Sequence, residues 1–273
     1  MKTRKIIPLA LMSALLTSCT TGKVQINEDP KPEETRYTVV AEHKRPDNSF
    51  TQGFEFDDNG DLLESSGLYG KSFIQRIKNG EYAPENTFRV DNETEVFAEG
   101  LTVINDDVIQ LTWKNNIGYI RDKNTFETKG VFQYMGEGWG ACYDDTTGVM
   151  WRSDGSDTLF GHNVNSWEVT KTAKVNDDSG SIKMINELEC VDGEVYANVF
   201  TEPYIVKIDP YATSGTTVVE KYDLSPIVKK VTEEKDLTQE QVLNGIAYND
   251  DNGHFYVTGK QWDTVYELSL IHI

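Results

Sequence analysis

The sequence predicts an all-β chain folded as a five-bladed β-propeller, with a small helical insertion between the fourth and fifth blades. Three observations carry this expectation. One five-residue strand pattern occurs five times, turn residues follow most copies, and two further alternating segments trail each copy. Units of roughly 40–50 residues with three or four strands each are the blades of a propeller.

The copies are Gly53-Phe54-Glu55-Phe56-Asp57, Gly100-Leu101-Thr102-Val103-Ile104, Gly140-Ala141-Cys142-Tyr143-Asp144, Glu187-Leu188-Glu189-Cys190-Val191 and Gly245-Ile246-Ala247-Tyr248-Asn249. Their first residues lie 47, 40, 47 and 58 positions apart. Apolar residues mostly take the second and fourth places, the period of a strand with two unlike faces. Asp58-Asn59-Gly60, Asp145-Thr146-Thr147-Gly148 and Asp250-Asp251-Asn252-Gly253 follow. Asn, Asp and Gly supply the backbone angles of tight hairpins, and recurrence at one place in the repeat favours turns over calcium loops. Second strands are expected near 62–65, 108–113, 149–153, 194–199 and 254–258, and third strands near 73–77, 117–121, 158–163, 205–208 and 264–268. The interval of 58 residues holds the insertion: 224–230 and 237–242 have helical character, with Thr238 and Gln241 at capping-box spacing.

The N-terminal 18 residues read as a lipoprotein signal peptide. A short basic segment precedes an apolar run over 6–16, too short to span a bilayer. Leu16-Thr17-Ser18-Cys19 resembles a bacterial lipobox, which implies cleavage before Cys19 and acylation there; the alternative is an ordinary secretory signal with an incidental cysteine. Thr20 after the cysteine favours the outer membrane. The expected location is the cell envelope, lipid-anchored on the periplasmic side or at the outer membrane. Residues 19–34 read as a flexible tether, and 35–273 as the propeller. Residues 268–273 resemble a translated sequencing-transposon end, so His272 is assigned no role.

Formal charge is −19, and about −22 once Lys2, Arg4 and Lys5 are removed, with 23 basic against 45 acidic residues. Nucleic acid is excluded as a partner, because phosphate binding needs clustered Lys and Arg. A monomer is expected. Cys142 and Cys190 fall on different blades; two buried free thiols are expected rather than a disulfide, which needs Cα atoms within about 7 Å.

In a propeller the first strand of each blade lines the axis. The residues just before each repeat therefore stand at one level: Gln52, Glu99, Trp139, Asn186 and Asn244. Four are polar or acidic and one is a large aromatic, so a site is expected there.

Nine segments, one or two per blade, extend the pattern: Phe50-Thr51-Gln52-Gly53, Glu64-Ser65-Ser66-Gly67-Leu68-Tyr69-Gly70, Glu99-Gly100-Leu101-Thr102, Leu111-Thr112-Trp113-Lys114, Glu137-Gly138-Trp139-Gly140, Ser153-Asp154-Gly155-Ser156, Asn186-Glu187-Leu188-Glu189, Leu243-Asn244-Gly245-Ile246-Ala247-Tyr248 and Thr258-Gly259-Lys260. Together they resemble the plant and bacterial glutaminyl-peptide cyclotransferases, over about 50–267. The resemblance implies a five-bladed propeller that converts N-terminal glutamine of peptides to pyroglutamate with release of ammonia. It implies Glu99 as acid/base, with Phe50, Gln52, Phe97, Trp113, Trp139, Asn186, Phe200 and Lys260 around the substrate. No cofactor is expected. Four histidines, at 43, 162, 254 and 272, show no HxH or HxxxH pair, which argues against a zinc centre. Glu187 and Glu189 are expected to be hydrogen-bonded into strand ends, and Trp151, Trp167 and Trp262 to pack blades.

Two departures from the family pattern stand out. Phe200 replaces a Trp, which should loosen one pocket wall, and Ala98 replaces a Gly, which should crowd the channel. Two other function classes compete. A non-catalytic envelope scaffold would suit the anchor and the acidic charge. A calcium-dependent hydrolase would need more acidic groups than the single one at the axial level.

Overall fold

The computed structural model describes residues 36–270 apart from 46–48 and 214. The signal peptide, Cys19 and the tether lie outside the described residues, as do 271–273.

The strand β1 (Tyr37–Lys44) precedes a four-stranded antiparallel sheet of β2 (Thr51–Phe56), β3 (Leu62–Ser66), β4 (Phe73–Ile77) and β5 (Thr87–Asp91). The second sheet repeats that order with β6 (Ala98–Ile104), β7 (Asp107–Thr112), β8 (Ile117–Asp122) and β9 (Thr128–Gln133). The third consists of β10 (Ala141–Asp144), β11 (Val149–Arg152), β12 (Thr158–Asn163) and β13 (Val169–Lys174). A small hairpin, β14 (Asn176–Asp177) with β15 (Gly180–Ser181), leads to the fourth: β16 (Ile185–Val191), β17 (Glu194–Val199), β18 (Tyr204–Ile208) and β19 (Val218–Asp223). After α1 (Ser225–Glu234) come β20 (Leu243–Asn249), β21 (His254–Gly259) and β22 (Thr264–Leu270). These three form the fifth sheet with β1, which pairs antiparallel with β22 and so closes the ring. Residues 268–270, expected as part of a foreign tail, continue β22 and face Tyr37, Thr38 and Val39.

Five blades give five seams, and each seam has its own apolar cluster. Between the first two blades lie Leu63, Ile74, Leu101, Val108 and Phe126. Between the last and the first lie Phe54, Leu62, Ile77, Ala247 and Val265. The inner strands β2, β6, β10, β16 and β20 touch in a ring around the axis. This proximity explains the glycine that opens four of the five repeats. A Cβ on Gly53 would sit 2.3 Å from Leu101 N, one on Gly100 2.6 Å from Ala141 N, and one on Gly140 2.1 Å from Asn186 O. Only glycine permits such close backbone approach.

The hairpin turns form as expected. Asp57 Oδ1 accepts from the N–H groups of Asn59 and Asp61, and Asn249 Oδ1 accepts from that of Asp251. The side-chain oxygens are committed to backbone, as Asx turns require.

The insertion holds one helix rather than two. Pro226 opens α1, and Ile227 and Val231, one turn apart, are buried against Leu224 and Leu243. Residues 237–242 form a turn in which Gln241 Oε1 accepts from Thr238 N–H at 2.6 Å. Half of the capping pattern is made, but six residues do not offset the cost of nucleating a helix.

Cys142 and Cys190 are joined in a disulfide with Cα atoms 5.3 Å apart, against the expectation of free thiols. Belonging to different blades does not separate them. They lie on β10 and β16, neighbouring inner strands, where adjacent blades converge.

Candidate active site

Four of the five inner strands are irregular at the same place. Register shifts fall between Thr51 and Gly53, Ala98 and Leu101, Ile185 and Leu188, and Leu243 and Ile246. These interruptions hold Gln52, Glu99, Asn186 and Asn244. A bulge bends the strand and re-aims a side chain. Here it turns the residue before each of these four repeats away from the ladder.

A cavity of about 270 Å³ opens at this level, lined by Phe50, Gln52, Leu68, Phe97, Glu99, Trp113, Trp139, Asn186, Phe200, Glu240 and Lys260. All nine residues singled out in the sequence around this centre stand in that lining. Asn244 does not; it is fully buried and donates to Thr51 O and to Gln52 Oε1. Its amide therefore holds Gln52 from behind. Ala98 is buried outside the lining, so its methyl does not crowd the cavity.

The axis is bridged beneath the cavity. Glu187 stands where the other repeats have glycine. Its Oε1 accepts from Phe54 N–H at 3.2 Å and its Oε2 from Ile246 N–H at 2.7 Å, linking β16 to β2 and β20. Glu189 accepts from Tyr248 N–H at 2.8 Å. Both follow the expectation of strand-end acceptors.

Aromatic rings form the walls. Phe97 makes edge contacts with Phe50, Tyr69 and Trp113, with ring centres 5.4 to 6.1 Å apart. Trp139 meets the edge of Phe200 at 6.0 Å. The two indoles share one acceptor: Glu137 Oε2 receives Trp113 Nε1–H at 2.7 Å and Trp139 Nε1–H at 2.9 Å. Gly155 packs flat on Trp139, where a Cβ would come within 2.7 Å of the ring. Trp151 and Trp262 are fully buried, and Trp167 stacks on Phe132 away from the cavity.

Lys260 lines the same cavity as Glu99. Its Nζ is 5.0 Å from the centre of Phe50 and 4.8 Å from that of Phe200, so two ring faces stabilise the cation. Its backbone N–H donates to Val242 O. A buried network fixes this side of the site. Arg45 reaches Thr51, Thr258 and Glu64, and Glu64 also accepts from Thr51 and Gln75. The segments that carry Phe50, Gln52 and Lys260 are thereby tied to one carboxylate.

Burial pushes the Glu99 carboxyl well above the usual carboxylate range; Lys260 opposes this and Glu137 adds to it. Burial lowers Lys260 to about 8, although Glu99 and Glu240 resist the loss of its proton. Burial thus moves both groups away from their values in water, the carboxyl upward and the ammonium downward. That is the property of groups that exchange protons.

Sequence reasoning missed three residues. Glu137 was visible beside Trp139, but nothing marked it as a joint acceptor for two indoles. Glu240 sits in the insertion, outside the repeat. Leu68 reaches the cavity through a left-handed backbone, φ 89°, in a segment already singled out.

Comparison with known proteins agrees with this geometry. The family model described as glutamine cyclotransferase matches residues 10–270. A curated relative, glutaminyl-peptide cyclotransferase of Arabidopsis thaliana, is 33% identical over 235 residues, covering 85% of this chain and 70% of the relative. The crystal structure of Myxococcus xanthus glutaminyl cyclase matches with a TM-score of 0.76 and 31% identity, covering 87% of this chain and 98% of that one. By sequence and by fold the chain belongs to the glutamine cyclotransferase family.

Proposed function

We propose that this chain closes the N-terminal glutamine of peptides into pyroglutamate and releases ammonia, without a metal, with Glu99 moving the proton. The observation that carries the reading is a buried carboxyl and a buried ammonium in the lining of one small aromatic cavity. Its volume of about 270 Å³ lies just below the ~300–1,000 Å³ of sites for drug-sized ligands. That suits one terminal residue, not a folded chain.

The substrate's α-amine attacks its own side-chain amide carbon. A carbon–nitrogen bond forms to the amine, and the bond to the amide nitrogen breaks. Holding the side chain bent supplies much of the advantage, since oriented intramolecular reactions gain about 7–11 kcal/mol. The amine has a pKa near 8, so a neutral fraction is present at pH 7. Glu99, as carboxylate, takes the proton that the attacking nitrogen sheds and delivers it to the departing nitrogen, which leaves as ammonia. Glu99 ends the cycle as it began. In this reading Lys260, Gln52 and Asn186, which line the same cavity, donate to the amide oxygen as negative charge develops there. Phe50, Phe97, Trp113, Trp139 and Phe200 exclude water.

The cavity lining supports a metal-free reaction by its chemistry. It offers two carboxylates and neither His nor Cys. Among the described residues no three His, Cys, Asp or Glu side chains are grouped to hold an ion. Ammonia release from a Gln-initiated dipeptide amide tests the reading. Wild type should turn over in chelator, and Glu99→Gln should lose roughly 10²–10⁴-fold, the scale of acid–base catalysis. A Glu99→Gln protein at wild-type rate would remove Glu99 from the mechanism.

We further infer anchoring at acylated Cys19 in the cell envelope. The Cys142–Cys190 disulfide supports export, because such bonds persist in oxidising compartments. Cys19→Ala should release the protein from the membrane fraction and abolish labelling by a fatty acid; retention with label would refute the anchor.

A further inference from the structure

A second cavity, of about 460 Å³, adjoins the first and shares Phe50 and Leu68 with it. It runs over the loop between β3 and β4 toward the end of β5. Leu68 stands between the two spaces with φ 89°, a conformation that a non-glycine residue holds only when its surroundings impose it. Those surroundings are three hydrogen bonds. Ser72 Oγ donates to Leu68 O at 2.9 Å, Lys71 N–H donates to the same carbonyl, and Gly67 N–H donates to Phe50 O. The partition is a built wall.

The charge of this groove is unlike that of the protein. The chain carries −19 formally, yet the groove is lined by Lys71, Arg89 and Asp91. Arg89 is compensated by Asp91, 2.7 Å away, and its guanidinium lies 3.6 Å from the ring centre of Phe73. The net positive charge of the groove therefore comes from Lys71, which is exposed. Ser66, Ser72 and Asn92 are already engaged. Ser66 Oγ accepts from Phe50 N–H, and Asn92 donates to Gln110. They shape the floor, and Lys71 is the charge offered to a visitor.

The shared wall of Phe50 and Leu68 offers a peptide whose first residue fills the inner cavity a route for its remaining residues. We propose that this groove receives the residues following the N-terminal glutamine, and that Lys71 selects for a carboxylate at the second to fourth position. The inference rests on the cyclase reading and names its preferred substrates: peptides that begin with glutamine and continue with an acidic residue.

The test uses three tetrapeptide amides that differ only at the third position, Gln-Ala-Glu-Ala, Gln-Ala-Ala-Ala and Gln-Ala-Lys-Ala, with Gln-Ala-amide as the short control. Wild type should show the lowest KM for the glutamate peptide, by roughly two- to fivefold over the alanine peptide, the scale of an exposed ion pair. Lys71→Glu should invert the order of the glutamate and lysine peptides and leave Gln-Ala-amide unchanged. Added salt should compress the differences. A KM independent of charge, or a Lys71→Glu protein shifted equally on all four substrates, would overturn the groove while leaving the cyclase reading intact. Absence of turnover on every substrate, Gln-Ala-amide included, strikes the cyclase reading first and the groove with it.

Discussion

Glu99 and Glu187 are both buried glutamates on inner strands, both pushed well above the ordinary carboxylate range by burial, and they do opposite things. Glu99 precedes the first position of its repeat and lines the cavity. Glu187 occupies the first position of its own, where side chains turn to the other face, and gives each oxygen to a backbone N–H of another blade. One place in the register separates a carboxyl that lines the cavity from a carboxyl that ties the ring. A shifted pKa alone does not distinguish them; the partners do. Fixed donors hold one, and the other has a cavity in front of it.

Exchanging the losses is the strongest way to break this comparison. Glu99→Gln should abolish most of the turnover, as argued above, while leaving the melting temperature at or above that of wild type, since it removes a buried charge. Glu187→Ala should do the reverse. It leaves the N–H groups of Phe54 and Ile246 without acceptors and opens a void at the axis, a cost of about 2–5 kcal/mol. Thermal unfolding and dipeptide turnover, measured on both proteins below their transitions, decide it. A Glu99→Gln protein that unfolds early, or a Glu187→Ala protein that is stable but inactive, would erase the division.

The disulfide sharpens the same point from another seam. Cys142 and Cys190 close a loop of 48 residues between neighbouring inner strands, away from the cavity lining. Replacing both with serine should lower stability by about 2–4 kcal/mol, or roughly 4–16 °C for a domain of this size. The KM and kcat for a Gln dipeptide should stay at wild-type values at low temperature. A change in KM would mean that this seam tunes the cavity and not only the ring.

Much of this was legible in the chain, for a physical reason. The blades repeat, so strand, turn and axial level repeat with them, and Gln52, Glu99, Trp139 and Asn186 follow by position. Contacts that cross between repeats leave no periodic mark. The Cys142–Cys190 bond leaves no such mark: its cysteines belong to different blades, and only the convergence of the inner strands brings them together. Glu240 was missed because the insertion belongs to no repeat, and the second expected helix because six polar-flanked residues settle as a turn. Asn244 shared the axial level but spends its amide on Gln52. Position in the repeat fixes the height of a side chain, and its neighbours decide where it points.

The smallest expected effect concerns the cation that shares the cavity with Glu99. Lys260 is held down at about 8 by burial, against 10.5 for a lysine in water. Its charge is therefore present below pH 8 and lost above it, well before an exposed lysine would titrate. If Lys260 stabilises the developing oxyanion, kcat should fall above pH 8 by up to about tenfold per unit, as for loss of one essential proton. Raised Glu99 works on the other side: its carboxylate is lost as pH falls, so kcat should also decline toward acid, giving a bell. Lys260→Arg separates the two limbs. A guanidinium keeps its charge through this range, so the alkaline limb should vanish while the acid limb stays. A wild-type kcat that stays level to pH 10 would show that Lys260 orients the pocket without taking part in the charge balance of the reaction.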